Sequence, residues 1–226
     1  MREKGYRNET IKNDKESFRN SNPDNYIDAI KFVTAQGGWA IRVGDKSMSN
    51  LPKMENVIDY ANENIKSEFM DIFLAAKSKF CVGTDSGYFR VPRFFGVPVL
   101  LTNCAHNMIY YSLKSEDLYL PKLIKRKSDN TILKLDELFS DPFVLFHSDE
   151  HFKNFGYTTI DNKSDEIKNA VSEMMKKVDL NINYQENHQK ELKSIIERCG
   201  SKFSKKTFAF ASYSEHFLKK YRKELL

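Results

Sequence analysis

Two short stretches carry residues whose types and spacing suit anion chemistry: GTDSG at 83–87 and RVGD at 42–45. An apolar run ends at Gly83, and a helical pattern begins near Ser86. The first N–H groups of a helix lack intrahelical partners, and its aligned dipoles place partial positive charge there. Glycines at such a turn let a phosphate approach the backbone, and the Thr84 and Ser86 hydroxyls add donors. The same residues also serve a plain strand-to-helix turn in which Ser86 only caps the helix. Arg42 closes the apolar stretch WAIRV, where a guanidinium needs an anion beside it. Asp45 or Asp59 would supply that anion in a structural ion pair, and a ligand phosphate would supply it in a binding site.

Other constellations are weaker. HSDEH at 147–151 has the spacing of an inverted zinc-protease motif, which requires both histidines on one helical face. Ser148 reads as a helix cap that leaves His147 outside, after a strand-like PFVLF, so no metal site is expected. Asp59 and Asp71 lie in mainly apolar segments and read as surface or capping groups. Cys81, Cys104 and Cys199 are scattered without CxxC spacing, which argues against a disulfide framework or zinc cluster and for reduced thiols.

The candidate groups meet only if strand ends converge. Tyr26, Ile27, Ile30, Phe32 and Val33 recur at helical spacing until Gly37-Gly38 stops the helix. WAIRV (39–43) reads as a short buried strand, and Val57-Ile58 as a strand end. Residues 67–77 form a helix with Met70, Phe73, Leu74 and Lys77 on one face. KFCVGT is a strand, 86–95 a helix, and VPVLLTN a strand that brings Asn103 to its carboxyl end. This alternation predicts an α/β fold: a Rossmann-like parallel sheet with helices on both faces, over 1–180. Ligands of such sheets sit beyond the strands' carboxyl ends, so Gly44, Asp45, 83–87 and Asn103 are the candidate site residues. Residues 105–140 read as a long loop, followed by a helix at 164–177. A helical extension, 181–226, is expected to pack on the sheet. Its last helix carries Phe217, Leu218, Tyr221 and Leu225 in one stripe that must be covered by its own sheet, a second copy or another chain.

At 226 residues with 40% hydrophobic and 30% charged residues, the chain can bury a core and stay soluble. The formal charge of +5 comes without a basic strip interleaved with aromatics, so nucleic acid is not expected as a partner. The polar start, MREKGYRNETIKNDKE, does not read as a signal peptide, and no apolar run approaches the ~20 residues of a membrane span. The expected location is cytoplasmic, with a peripheral place at the inner face of the membrane as a variant.

RNSNPDNYIDAIKFVTAQGGWAIRVGD (19–45), VIDYAN (57–62) and KSEFMDIFLAAKSKFCVGTDSGYFRVPRFFGVPVLLTN (66–103) resemble a bacterial glycosyltransferase family encoded with surface-polysaccharide genes. Its members look like GT-B enzymes, whose two Rossmann-like halves close over a nucleotide sugar, and this chain is similar to the donor-binding half. The resemblance implies that Gly83, Thr84, Asp85, Ser86 and Gly87 contact the donor's diphosphate or ribose. Gly44, Asp45 and Asn103 lie with them at the donor, and Arg42 stabilises the leaving phosphate. It implies a nucleotide-sugar donor, a glycan or glycolipid acceptor, and no metal or other cofactor. MREKGY resembles the end of that half's first strand, with Arg2 at its tip and the strand itself missing. An N-terminal-half partner chain or a homo-oligomer would then complete the enzyme. The alternatives are a non-catalytic nucleotide-sugar-binding module and a sugar-nucleotide epimerase of the same fold.

Overall fold

The computed structural model describes residues 2–3, 16–105, 112–182, 187–199 and 211–226. Strands β1 (Ala40–Ile41) and β2 (Val57–Ile58) form a parallel pair. Strands β3 (Cys81–Gly83), β4 (Val99–Cys104) and β5 (Leu118–Pro121) lie side by side in parallel. An antiparallel pair, β6 (Leu123–Arg126) with β7 (Tyr157–Ile160), leads away from β5, and β8 (Ser212–Tyr213) completes the order β3-β4-β5-β8. The expected α/β architecture is therefore present as a four-stranded parallel sheet flanked by helices. Every residue of β4 is buried, as an unalternating apolar run covered on both faces requires.

The first helices are α1 (Ile27–Ala35), α2 (Glu68–Lys77) and α3 (Arg90–Phe94). Ser67 starts α2 by accepting from the Met70 N–H, with Glu68 and Asp71 in the first turn and Lys77 in the last. Beyond them come α4 (Leu135–Leu138), α5 (Asp149–Asn154), α6 (Ser164–Leu180), α7 (Asn187–Arg198), α8 (Glu215–Lys220) and α9 (Arg222–Leu225). Helix α6 packs against α1, β4 and β5, burying Ile167, Ala170, Val171 and Met174 at i, i+3, i+4 and i+7.

Several expectations need correction. The 105–140 stretch holds a central strand, β5, and the strand β6 that pairs antiparallel with β7; Pro121-Lys122 breaks one run into two strands without a glycine to mark the turn. The expected buried strand WAIRV is only Ala40–Ile41, with Trp39 63% and Ile41 41% exposed. PFVLF is a 3-10 turn at Phe143–Leu145 rather than a strand. The C-terminal segment is not purely helical, because β8 adds an edge strand to the main sheet. Its Phe217, Leu218 and Leu225 are buried in the same core, so the chain covers that stripe itself. Among the described residues no helix is long and apolar enough to cross a membrane.

A polar cluster sits at the centre of the sheet. Asn103 adopts a left-handed conformation (φ 52°) where the β4–β5 register shifts. Its N–H donates to Asn162 Oδ1 (2.6 Å), and the Asn162 N–H returns a bond to Asn103 Oδ1 (2.7 Å). Asn162 Nδ2 donates to the Pro121 carbonyl (2.7 Å), and Asn103 Nδ2 donates to the Tyr26 hydroxyl (3.0 Å). That hydroxyl lies 2.7 Å from Thr102 Oγ1, which donates to the Gly83 carbonyl at 3.1 Å. Asn162→Ala leaves the Asn103 N–H and Pro121 carbonyl buried without those partners. At roughly 1–3 kcal/mol for each group, the expected loss of unfolding free energy is roughly 2–6 kcal/mol, to be read by urea denaturation.

Candidate functional site

Beyond the carboxyl ends of β1 and β3 lies an open cleft of about 1520 Å³. One wall is the 43–50 loop after β1, and the floor is the turn between β3 and the 3-10 helix Gly87–Phe89. The opposite wall is the 16–24 segment, with Lys122 and Asp161 at its end. Of the residues expected at the site, Gly44, Asp45, Gly83, Ser86 and Gly87 line this space. A Cβ added at Gly87 would meet nothing within 4 Å, so the backbone there faces open cleft. Gly44 differs: a Cβ would fall 2.0 Å from the Met48 sulfur, so a larger residue there would require the Met48 side chain to move. Asp45 turns inward on its own loop, accepting from the Ser47 N–H at 2.8 Å.

Thr84 and Asp85 lie behind the floor. The buried Thr84 hydroxyl accepts from the Arg2 N–H (2.9 Å). The Asp85 carbonyl accepts from Arg19 Nε (2.9 Å), and its carboxylate lies 3.3 Å from the same nitrogen. Asn103 is buried in the cluster described above and points its amide at Asn162 and Tyr26, away from the cleft.

The placement of Arg42 resolves the choice left open by its sequence. Its Nε and Nη2 donate to both oxygens of Asp59 (2.7 and 2.8 Å), and Nη1 reaches Glu3 at 3.3 Å. Glu3 also accepts from the Ser49 N–H (3.1 Å) and hydroxyl (2.8 Å), and Asp59 accepts from the Leu51 N–H (3.0 Å). Arg42 does not line the cleft. A guanidinium with two carboxylates already in place ties β1 to the residues after β2 and to the 49–51 loop. In this arrangement it is a structural ion pair rather than a group aimed at a leaving phosphate.

Among the described residues, the cations that reach the cleft are Arg2, Arg19, Lys66 and Lys122. Arg2 Nη1 donates to Glu16 Oε2 (3.0 Å), and Arg19 Nη1 pairs with the same oxygen. Burial alone would raise the Glu16 carboxyl, but the two guanidiniums hold it below the ordinary range. The 16–24 wall is fixed from outside: Asp149 accepts from the Ser17 and Phe18 N–H groups (2.7 and 2.8 Å). Buried Lys122 donates to the Asn20 carbonyl and to Asp161, each at 2.6 Å. Asp149 belongs to the HSDEH stretch, whose role here is therefore partly capping. Ser148 caps α5, leaving His147 outside it, and among the described residues no group of histidines, cysteines and carboxylates could hold a metal.

Sequence reasoning did not single out Glu16, Arg19 or Lys122 as site residues. SFRNSNP carries turn signals but no periodicity, and only the tertiary fold sets it against the glycine turn. A lysine directly after LYLP, at a strand's carboxyl end, was the one signal available. Comparison of the chain with protein-family models, curated proteins and solved structures returns no match.

Arg42→Ala strands Glu3 and Asp59 without their cation. It is expected to cost about 3–5 kcal/mol of stability, checked by chemical denaturation. Burial raises the Asp85 carboxyl above its ordinary value, with Arg19 opposing. A raised acid favours the fold while protonated, so its contribution is present below the unfolded pKa and lost as pH rises through the folded one. Asp85→Asn, neutral throughout, should melt progressively higher relative to the native chain as pH climbs from about 3 to 7. A melting difference that does not vary with pH would contradict this.

Proposed function

We propose that the cleft binds the diphosphate of a nucleotide-sugar donor, and that the chain is the donor-binding half of a metal-independent glycosyltransferase with a GT-B-like arrangement. The acceptor would be a surface polysaccharide or another glycoconjugate. One observation carries the reading: Arg2 and Arg19 converge on a single carboxylate, Glu16, at the rim of the glycine turn. Two guanidiniums sharing one oxygen form a fork that suits a phosphate equally well. Glu16 is partly exposed, with 45% of its side chain accessible, so an incoming diphosphate can take its place. Glycosyl transfer builds negative charge on the departing diphosphate, and fixed guanidiniums at that point stabilise it. The open backbone at Gly87 allows close approach of the same group. The likeness of 19–103 to the glycosyltransferase family agrees with this chemistry.

A binding module without turnover is the second reading, and most of the cleft's acids favour it. Glu3, Glu16, Asp45, Asp71 and Asp161 are each engaged by a neighbouring donor, which leaves exposed Asp24 as the acid better placed to act as a general base.

Calorimetric titration with UDP, GDP, CDP and dTDP tests the proposal. At least one should bind, and Gly87→Val should abolish binding with an unchanged melting temperature. Glu16→Gln, which weakens the internal competitor, should tighten binding several-fold. If no diphosphate binds, or if Gly87→Val binds like the native chain, the proposal fails. Donor hydrolysis assays then separate transferase from binding module.

A further inference from the structure

The cleft runs across strand ends, and its chemistry changes along its length. The glycine turn after β3 lies between the 43–50 loop, which follows β1, and Lys122, which directly follows β5. On the β1 side Val43, Met48 and Tyr88 supply apolar and aromatic surface. On the β5 side Asn22, Lys122, Thr159 and Asp161 make the lining polar. Strand β5 stands two ladder spacings from β3, about 10 Å across the sheet. The 16–24 segment connects the two places. Arg19 meets Asp85 at the glycine turn, and the next residue, Asn20, meets Lys122.

Lys122 is only 3% exposed, although it lines the cleft. A buried ammonium needs a fixed anion, and Asp161 Oδ1 supplies it at 2.6 Å while the Asn20 carbonyl accepts a second N–H. The third N–H of the ammonium has no bond among the described residues. The Asp161 side chain is 39% accessible, and no donor among the described residues reaches its Oδ2. Among the same residues the Thr159 hydroxyl on β7 and the Asn22 amide nitrogen are also unbonded. The lysine thus fixes the carboxylate through one oxygen and leaves the other for a ligand. Each hydroxyl of a sugar donates one bond and accepts others, so an open carboxylate oxygen beside spare N–H and O–H groups suits a polyol. A nucleobase would find no aromatic face to stack on there.

We propose that this end of the cleft is the sugar subsite of the donor, with Asp161 accepting from sugar hydroxyls and Lys122 positioning it. The inference rests on the donor-binding reading and gives it a direction: sugar toward β5, nucleoside toward β1. The terminal phosphate and one pyranose ring together cover the distance from the glycine turn to Lys122. A sugar lacking the bonded hydroxyl would leave Asp161 Oδ2 without its partner, which is how a hydrogen-bonding site rejects a deoxy analogue.

The test is calorimetry on the full chain with UDP, GDP and dTDP beside UDP-glucose, UDP-N-acetylglucosamine, GDP-mannose, GDP-fucose and dTDP-glucose. Asp161→Asn keeps an acceptor for Lys122 but removes the charge, and Thr159→Val exchanges the hydroxyl for a methyl group. For the sugar nucleotide that binds, Asp161→Asn should weaken affinity about tenfold and Thr159→Val about threefold, with the matching diphosphate within about twofold of native. Deoxyfluoro analogues of that sugar nucleotide, altered one hydroxyl at a time, give a readout that general loosening of the fold would not move. At one position the change should cost the native chain about fivefold and the Asp161→Asn chain less than about twofold. Equal losses for sugar nucleotide and diphosphate, or no loss for either, would overturn the inference while the donor reading stands. So would a diphosphate that binds where none of the sugar nucleotides does. If no diphosphate binds, the donor reading itself fails and takes the inference with it.

Discussion

The reciprocal pair between Asn103 and Asn162 is the constraint on which the remaining structure depends. Two side-chain amides, each fully enclosed, replace ladder bonds at the point where β4 and β5 lose register. Buried polar groups of this kind are worth having only when every donor and acceptor is matched. Here the matching brings in Pro121, Tyr26, Thr102 and Gly83. One cluster therefore fixes the end of β3, the end of β5, the residues before α1 and the entry to α6. It also explains why the loop after β3 has a defined place from which to form a cleft floor.

Two arginine clusters flank that floor and differ in what surrounds them. Around Arg42 the carboxylates are largely enclosed, and backbone N–H groups of Ser49 and Leu51 complete their shells. Such a cluster holds loops in place and has little reason to exchange partners. Around Arg2 and Arg19 the shared carboxylate is partly in water, where the net strength of an ion pair is small. A more highly charged anion competes well at that second cluster. The difference in solvation makes one arginine structural and, on the proposed donor-binding reading, lets the others exchange their partner for a ligand.

Arg2 and Glu3 line the cleft and reach both of the strands whose ends form it. These residues bridge β1 and β3, which are not hydrogen-bonded to each other. The spacing of the cleft walls consequently rests on side-chain contacts rather than on a continuous sheet.

By itself the sequence determined the parallel α/β character. It also located the helices that the structure places at 27–35, 68–77 and 164–180, to within a few residues at their ends, and the turn at 83–87, because these follow from local periodicity, caps and glycines. It located a candidate site at the strand ends, and five of its residues do meet in one cleft. The tertiary structure alone decided the rest. Whether Arg42 faced Asp59, Asp45 or a ligand depended on which way β1 lay against the residues after β2. Whether Asn103 faced a ligand or Asn162 depended on a contact spanning 59 positions. The strand at 118–121 was hidden because LYLP is short and sits among charged residues with no clear period, and its other sheet neighbour, β8, is remote in sequence. The Arg2–Glu16–Arg19 fork is aperiodic and local only in part. Its position over the glycine turn comes from bonds to Thr84, Asp85 and Asp149 that no pattern along the chain encodes.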